Sequence, residues 1–261
     1  MIDASVMTFD DPSRLRLTRR RFQRATAAHP ESVVHPTRTT RRIVLTGGPG
    51  SGKSTAASFL AREFTGDIWV LPESATVLYR GGMPRGVTDL GTQVAQRAIF
   101  STQRALEQAH ELQHPGRVQI CDRSTIDGAA YWPSSPDAFF QSMNTTHAAE
   151  LARYDAVIFM HTAAHMPAGY ERDLDVRTED AELAIELDQR VFELYRDHPR
   201  LITIESQVSF LDKLVLVREA VASILGRISA EIETGAAVPT SSLAHLASIS
   251  ADLMPNRDDT L

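Results

Sequence analysis

Residues Gly47-Gly48-Pro49-Gly50-Ser51-Gly52-Lys53-Ser54 follow directly on the apolar run Arg42-Ile43-Val44-Leu45-Thr46 and precede an alanine-rich stretch. A strand running into a glycine-rich turn, with a helix behind it, constrains the fold more than any other feature of this chain. Glycines let the backbone curl until several N–H groups point at one anion, at the positive end of the following helix. This is the spacing of a phosphate-binding P-loop. Gly48, Gly50, Ser51, Gly52, Lys53, Ser54 and Thr55 would cradle the phosphates of a nucleotide. Lys53 would reach the outer phosphates, and the Ser54 hydroxyl would hold Mg²⁺. The chain has two lysines, Lys53 and Lys213, against 25 arginines, and one of them stands where a compact point charge is needed.

Composition narrows the setting. The 261 residues leave room for one α/β domain of about 180–200 residues with extra ends. A hydrophobic content of 43% supports a sizeable core, and a net charge of −6 gives no general reason to expect nucleic acid as the main ligand. The single cysteine, Cys121, excludes an internal disulfide and fits a reducing compartment. No apolar run approaches the roughly 20 residues that span a bilayer. The first residues lack the charged-then-apolar plan of a secretory signal, so the expected location is the cytoplasm.

Three regions are expected. Residues 1–41 form an Arg-rich N-terminal extension; nine arginines occur up to and including Arg42, among them Arg19-Arg20-Arg21. It reads either as an arm for an anionic partner or as a solvated, partly helical tail. Residues 42–226 alternate between strand and helix periods, with strands near 43–46, 68–71, 117–121, 155–160 and 201–205. Helices are expected at 53–64, 87–113, 178–197 and 208–226. Strands separated by helices of this length pair in parallel through right-handed crossovers, which makes a three-layer α/β/α fold with a five-stranded parallel sheet. Residues 227–261 form a C-terminal tail in which Leu243, Leu246, Ile249 and Leu253 could line a short helix.

Three further places decide what happens to a bound nucleotide. In Val118-Gln119-Ile120-Cys121-Asp122-Arg123-Ser124 an apolar strand ends in a carboxylate beside the P-loop, where Asp122 can serve the metal. Arg123 stands where motor-type ATPases place a water-polarising Glu, and a cation there suits an anionic or phosphoryl-accepting substrate. The alternative is a strand-end surface pair. In Val70-Leu71-Pro72-Glu73, Glu73 could accept the proton of an attacking hydroxyl. It could equally be an ordinary helix-starting acid. The charge-dense segment from Tyr170 to Glu179 reads as a lid whose Arg172 and Arg177 close on the phosphates, or as a solvated helix start near Thr178.

These motifs carry a resemblance. Leu71-Pro72-Glu73 after the second strand and Asp122-Arg123-Ser124 after the third resemble the Pro-Glu and acid-Arg-Ser motifs of deoxynucleoside kinases. Together with Asp122 through Tyr131, the wider pattern is similar to predicted AAA-type ATPases related to the ribosylnicotinamide kinase domain of NadR-type proteins. It covers about residues 42–226. The resemblance implies Glu73 as base at the acceptor hydroxyl, Arg123 near the transferred phosphate, Asp122 at the metal, and Arg172 or Arg177 in the lid. It also implies that Asp127 and Tyr131 face an acceptor pocket together with the stretch ending in Arg85. Ser74 stands where deoxynucleoside kinases carry a second proline, and no base-reading Gln and Arg are apparent.

The leading reading is an adenylate-kinase-like P-loop phosphotransferase, moving the γ-phosphoryl group of Mg·ATP to a small-molecule acceptor, with ATP hydrolysis as the fallback activity. A nucleotide-dependent switch working through a macromolecular partner, and an oligomeric remodelling ATPase, are the competing readings. The absence of an Asn-Lys-x-Asp guanine-reading motif favours ATP as donor.

Overall fold

The computed structural model describes residues 40–165, 181–207 and 209–234. Among these, five strands form one sheet: β1 (Arg42–Thr46), β2 (Ile68–Leu71), β3 (Val118–Asp122), β4 (Ala156–Met160) and β5 (Leu201–Ile204). Their order across the sheet is β2-β3-β1-β4-β5, and all pairs are parallel. The chain steps outward from β1 on one side, returns, and then builds the other side. β1 is therefore the point where strand order reverses, and a crevice opens at its carboxyl end.

The helices are α1 (Lys53–Glu63), α2 (Ser74–Arg80), α3 (Asp89–Gln113), α4 (Pro136–Ser142), α5 (His147–Leu151), α6 (Ala181–Tyr195) and α7 (Phe210–Thr234). Central strands are buried on both faces, as an all-parallel sheet requires, so they read as mainly apolar runs without alternation. Alternate residues serve opposite layers. Ile43, Leu45, Ile120, Ile158 and Met160 pack with Ala56 and Leu60 of α1 and Val217 and Val221 of α7. Val44, Cys121, Val157 and Phe159 pack with Phe100 of α3, Phe139 and Phe140 of α4, and Val191 and Tyr195 of α6. The architecture is the expected three-layer α/β/α sandwich.

Element boundaries lie close to those expected from periodicity, with three differences, the first being the seven-residue α2 at Ser74–Arg80, which no expected helix covers. The 124–150 region folds into a 3₁₀ turn at Asp127–Tyr131 followed by α4 and α5, capped by Ser135 and Thr146. These short helices escape an 11-residue periodicity window, whereas their capping residues are local signals. The last helix also runs past residue 226 to Thr234, because Ile228 and Glu231 still have packing partners.

Phe139 is fully buried and meets Phe100, Trp132 and Phe140 edge-on at centroid distances of 5.9, 5.4 and 5.1 Å. Phe139→Ala is expected to cost about 3–5 kcal/mol, read as a lower urea midpoint with an unchanged slope.

Candidate functional site

Register decides which side chains meet at the crevice. Leu45 pairs with Asp122 and Leu71 with Cys121, so the chain leaving β2 at Glu73 and the chain leaving β3 at Arg123 emerge beside the P-loop. The loop itself is threaded between its neighbours. Gly47 has φ +137°, and a Cβ there would lie 2.0 Å from the Met160 carbonyl oxygen. Gly52 precedes α1 with φ +89°, and its Cβ would lie 2.4 Å from the Phe210 ring. Only glycine fits either position.

Lys53 is buried inside the loop. Its ammonium donates to the Gly47 carbonyl at 2.9 Å, the Gly48 carbonyl at 2.7 Å and the Ser51 hydroxyl at 2.9 Å. No side chain caps the start of α1 and no acidic residue lies in its first turn. The helix N-terminus is thus kept electropositive and suited to an anion.

Asp122 is 4% exposed, and its Oδ1 has no hydrogen-bond partner among the described residues. Burial and the nearby Glu73 charge push its pKa up to about 6, against the pull of Lys53, Arg123 and the Ser54 hydroxyl. A buried, unsatisfied carboxylate oxygen beside a serine hydroxyl is a donor set that suits Mg²⁺, which typically takes one or two protein oxygens and completes its shell from water and phosphate. No cluster of three or more His, Cys, Asp or Glu ligands occurs among the described residues.

The raised value has a defined sign. Between pH 3.8 and about 6 the folded protein holds a proton here that the unfolded chain releases, so this group makes stability fall as pH rises through that window. Asp122→Asn is expected to remove that slope and to stabilise the metal-free protein at pH 7 by about 2–3 kcal/mol. Urea midpoints at pH 4 and pH 7 check it.

Glu73 and Arg123 form the second half of the site. The Arg123 Nε donates to Glu73 Oε1 at 2.6 Å, and the Thr76 hydroxyl donates to Glu73 Oε2 at 2.5 Å. Glu73 immediately precedes α2 but makes no capping bond; its carboxylate is engaged by Arg123 and Thr76 instead. Burial pushes the Glu73 pKa up, but Arg123, Thr76 and Lys53 together outweigh it and hold the group below the usual carboxylate range. Arg123 lies at φ +67°, an unusual region for a non-glycine residue, and its N–H is anchored to the Leu45 carbonyl at 3.0 Å. Such backbone persists where surrounding contacts over-determine it.

Asp127 supplies those contacts. It lines the crevice, yet its carboxylate accepts from the Thr46 hydroxyl at 2.6 Å, the Tyr195 hydroxyl at 2.5 Å, the Ser124 N–H at 3.0 Å and Arg123 at 3.2 Å. Its oxygens are thereby engaged in holding the Arg123 turn at the cavity wall.

Lys53, Ser54, Thr55, Glu73, Arg123 and Asp127 share the wall of one cavity of about 520 Å³. Arg85 and Tyr131 line it as well; the Arg85 guanidinium sits 4.4 Å above the Tyr79 ring and that of Arg123 5.8 Å from the Tyr131 ring. Arg172 and Arg177 lie outside the described residues. Three contributors were not singled out from sequence. Gln96 and Gln103 of α3 line the cavity, the Gln103 amide accepting from the Ser74 hydroxyl and donating to Glu107. Asp188, buried on α6, accepts the Gly48 N–H at 2.8 Å. The signal for Asp188 was available: it is a lone carboxylate on a stripe otherwise made of Ala184, Leu187, Val191, Leu194 and Tyr195.

No curated protein shows significant sequence similarity to the chain. Its structure is similar to that of deoxyadenosine kinase from M. mycoides with bound dATP, at 14% identity and a TM-score of 0.48, over 70% of this chain and 99% of that one. The same kinase with its products dCMP and dCDP gives 15% identity and the same score and coverage. Neither neighbour is a NadR-type protein. No helix among the described residues is long and apolar enough to cross a membrane. The sequence pattern of the AAA domain matches residues 42–213, well over half of the chain. With a P-loop wrapped on a buried lysine and an acidic residue ending the adjacent strand, the chain belongs to the AAA-domain family of P-loop nucleotide-binding proteins.

Proposed function

We propose that this protein is an ATP-dependent kinase that transfers the γ-phosphoryl group to a hydroxyl of a small, nucleoside-like acceptor. One observation carries the reading: Glu73 and Arg123 meet at 2.6 Å in the wall of the same cavity that holds Lys53 and Ser54. A motor-type hydrolase places a water-polarising Glu where this chain has Arg123. Glu73, ionised at neutral pH, has the free charge needed to accept the proton of a substrate hydroxyl.

In the transfer, the acceptor oxygen forms a bond to the γ-phosphorus while the bond from that phosphorus to the β,γ-bridging oxygen breaks. ADP leaves with the bonding electrons, and the hydroxyl proton passes to Glu73. Lys53 and Arg123 spread the charge that develops on the phosphoryl oxygens. Ser54 and Asp122 would hold Mg²⁺, whose charge neutralises the phosphates when bound. Gln96, Tyr79 and Tyr131 give the acceptor side amide and aromatic surfaces, which suits a planar, hydrogen-bonding ring. Phe210, packed against Gly52 and 40% exposed, offers an apolar face at the donor side.

Transfer of labelled γ-phosphate from Mg·ATP to a panel of nucleosides, nucleotides, ribosylnicotinamide, sugars and amino-alcohols tests the proposal. A labelled product that disappears in Lys53→Ala supports it. Tight nucleotide binding with slow hydrolysis and no labelled acceptor would replace it with a nucleotide-dependent switch.

A further inference from the structure

A buried carboxylate on an apolar helix face carries a desolvation cost that only specific partners offset. Asp188 is 2% exposed on α6, and each of its oxygens is committed. Oδ1 accepts the Gly48 N–H at 2.8 Å and the Thr162 N–H at 2.9 Å, while Oδ2 faces His161 Nδ1 at 2.7 Å. Burial pushes the carboxyl pKa up, but the bonds from His161, Gly48 and Thr162 outweigh it and keep Asp188 charged.

Three elements converge on this residue. His161 and Thr162 follow β4, and the Thr162 hydroxyl donates to the Pro49 carbonyl at 2.5 Å, next in the loop to Gly48. Lys213 of α7 donates to the His161 carbonyl at 2.6 Å, and Ser206, after β5, donates to the Thr162 carbonyl at 2.5 Å. The outer limb of the P-loop is therefore braced from behind by groups far away in sequence. Gly48 permits the approach: a Cβ there would lie 2.6 Å from Asp188 Oδ1 and 2.7 Å from its Cβ.

The peptide between Gly47 and Gly48 gives the brace a function. A trans peptide points its N–H and its C=O in opposite directions. The N–H of this unit is bound to Asp188 behind the loop, so its C=O, that of Gly47, must point into the loop. There it accepts the Lys53 ammonium at 2.9 Å. One rigid plane thus links a carboxylate on α6 to the cation that meets the phosphates.

We propose that Asp188 is a positioning residue for Lys53, acting through the Gly47–Gly48 peptide to set the loop for polyphosphate binding. The inference rests on the nucleotide site alone and stands apart from the identity of any phosphoryl acceptor. Asp188 touches no reacting atom. Its removal frees the peptide to rotate and takes away one of the carbonyls that aim Lys53.

The experiment uses the full chain, Mg·ATP as probe, and the variants Asp188→Ala and Asp188→Asn. Asparagine keeps an oxygen that accepts both N–H groups, so it is expected to bind Mg·ATP within about threefold of the parent, whereas alanine is expected to bind about tenfold or more weakly. The chain's two lysines provide the second readout, because protein made with ¹³Cε-labelled lysine shows only Lys53 and Lys213, assigned with Lys53→Ala. The Lys53 resonance should move in Asp188→Ala and return towards the parent position in Asp188→Asn. Weaker binding with an unmoved Lys53 resonance would overturn the proposal, leaving Asp188 a merely stabilising residue. Equal impairment of both variants, or parent-like affinity in a folded Asp188→Ala protein, would overturn it as well. Failure of every acceptor in the transfer panel leaves this binding measurement unaffected.

Discussion

Glu73→Gln is expected to lower the rate of phosphoryl transfer by about 10²–10⁴-fold while leaving Mg·ATP affinity within a few fold. The substitution is nearly isosteric, and the amide oxygen can still accept from Arg123, whose other partner, Asp127, is untouched. What disappears is the only capacity the proposed mechanism assigns to this side chain, that of taking a proton from the acceptor. The loss should therefore fall on kcat and not on nucleotide binding. Parallel measurement of transfer rate, Mg·ATP affinity and basal hydrolysis checks this. Hydrolysis at the parent rate without any transfer in either protein would favour the switch reading, since a switch has no use for a base aimed at an acceptor.

Arg123→Ala is expected to cost about 3–5 kcal/mol of stability at neutral pH in addition to activity. The guanidinium is 15% exposed and stands between Glu73 and Asp127, with the buried Asp122 nearby. Removing it leaves acidic groups facing one another in a poorly solvated pocket, and alanine does nothing to relieve the left-handed backbone there. The pH dependence follows from Glu73, whose folded-state pKa is held below its reference value of 4.5. A depressed carboxylate contributes stability that is present above pH 4.5 and lost as pH falls through the folded value. The variant lacks that contribution, so its deficit should be largest at pH 7 and shrink towards pH 4. Urea unfolding of both proteins at the two pH values gives the comparison. Arg123→Lys should lose less, because the charge remains although the two-pronged geometry is gone.

Much of this site is legible in the sequence because its chemistry is local. The P-loop is a contiguous run whose glycine turn, helix start and lysine are recognised from their spacing along the chain, although Gly47 and Gly52 also make room for the distant Met160 and Phe210. Asp122 and Glu73 are legible for a related reason. Both end or follow β-rich runs, and a parallel sheet brings the carboxyl ends of its strands to one side. The partners of Asp127 are not legible, because Thr46 and Tyr195, which claim its oxygens, lie 81 and 68 residues away. Gln96 was hidden in the same way, since an amide on a long polar helix reads as solvated until α3 is packed against the crevice.

Sequence alone therefore settles the loop that binds phosphate, the alternation that demands a parallel α/β sheet, and the strand-end carboxylates. These depend on backbone conformation and on periodicity, both set by residues close along the chain. Tertiary structure alone decides that Arg123 joins Glu73 to Asp127, and that α6 returns a carboxylate to the back of the P-loop. Those contacts come from strand register and helix packing, where distant residues meet because apolar faces must be buried together.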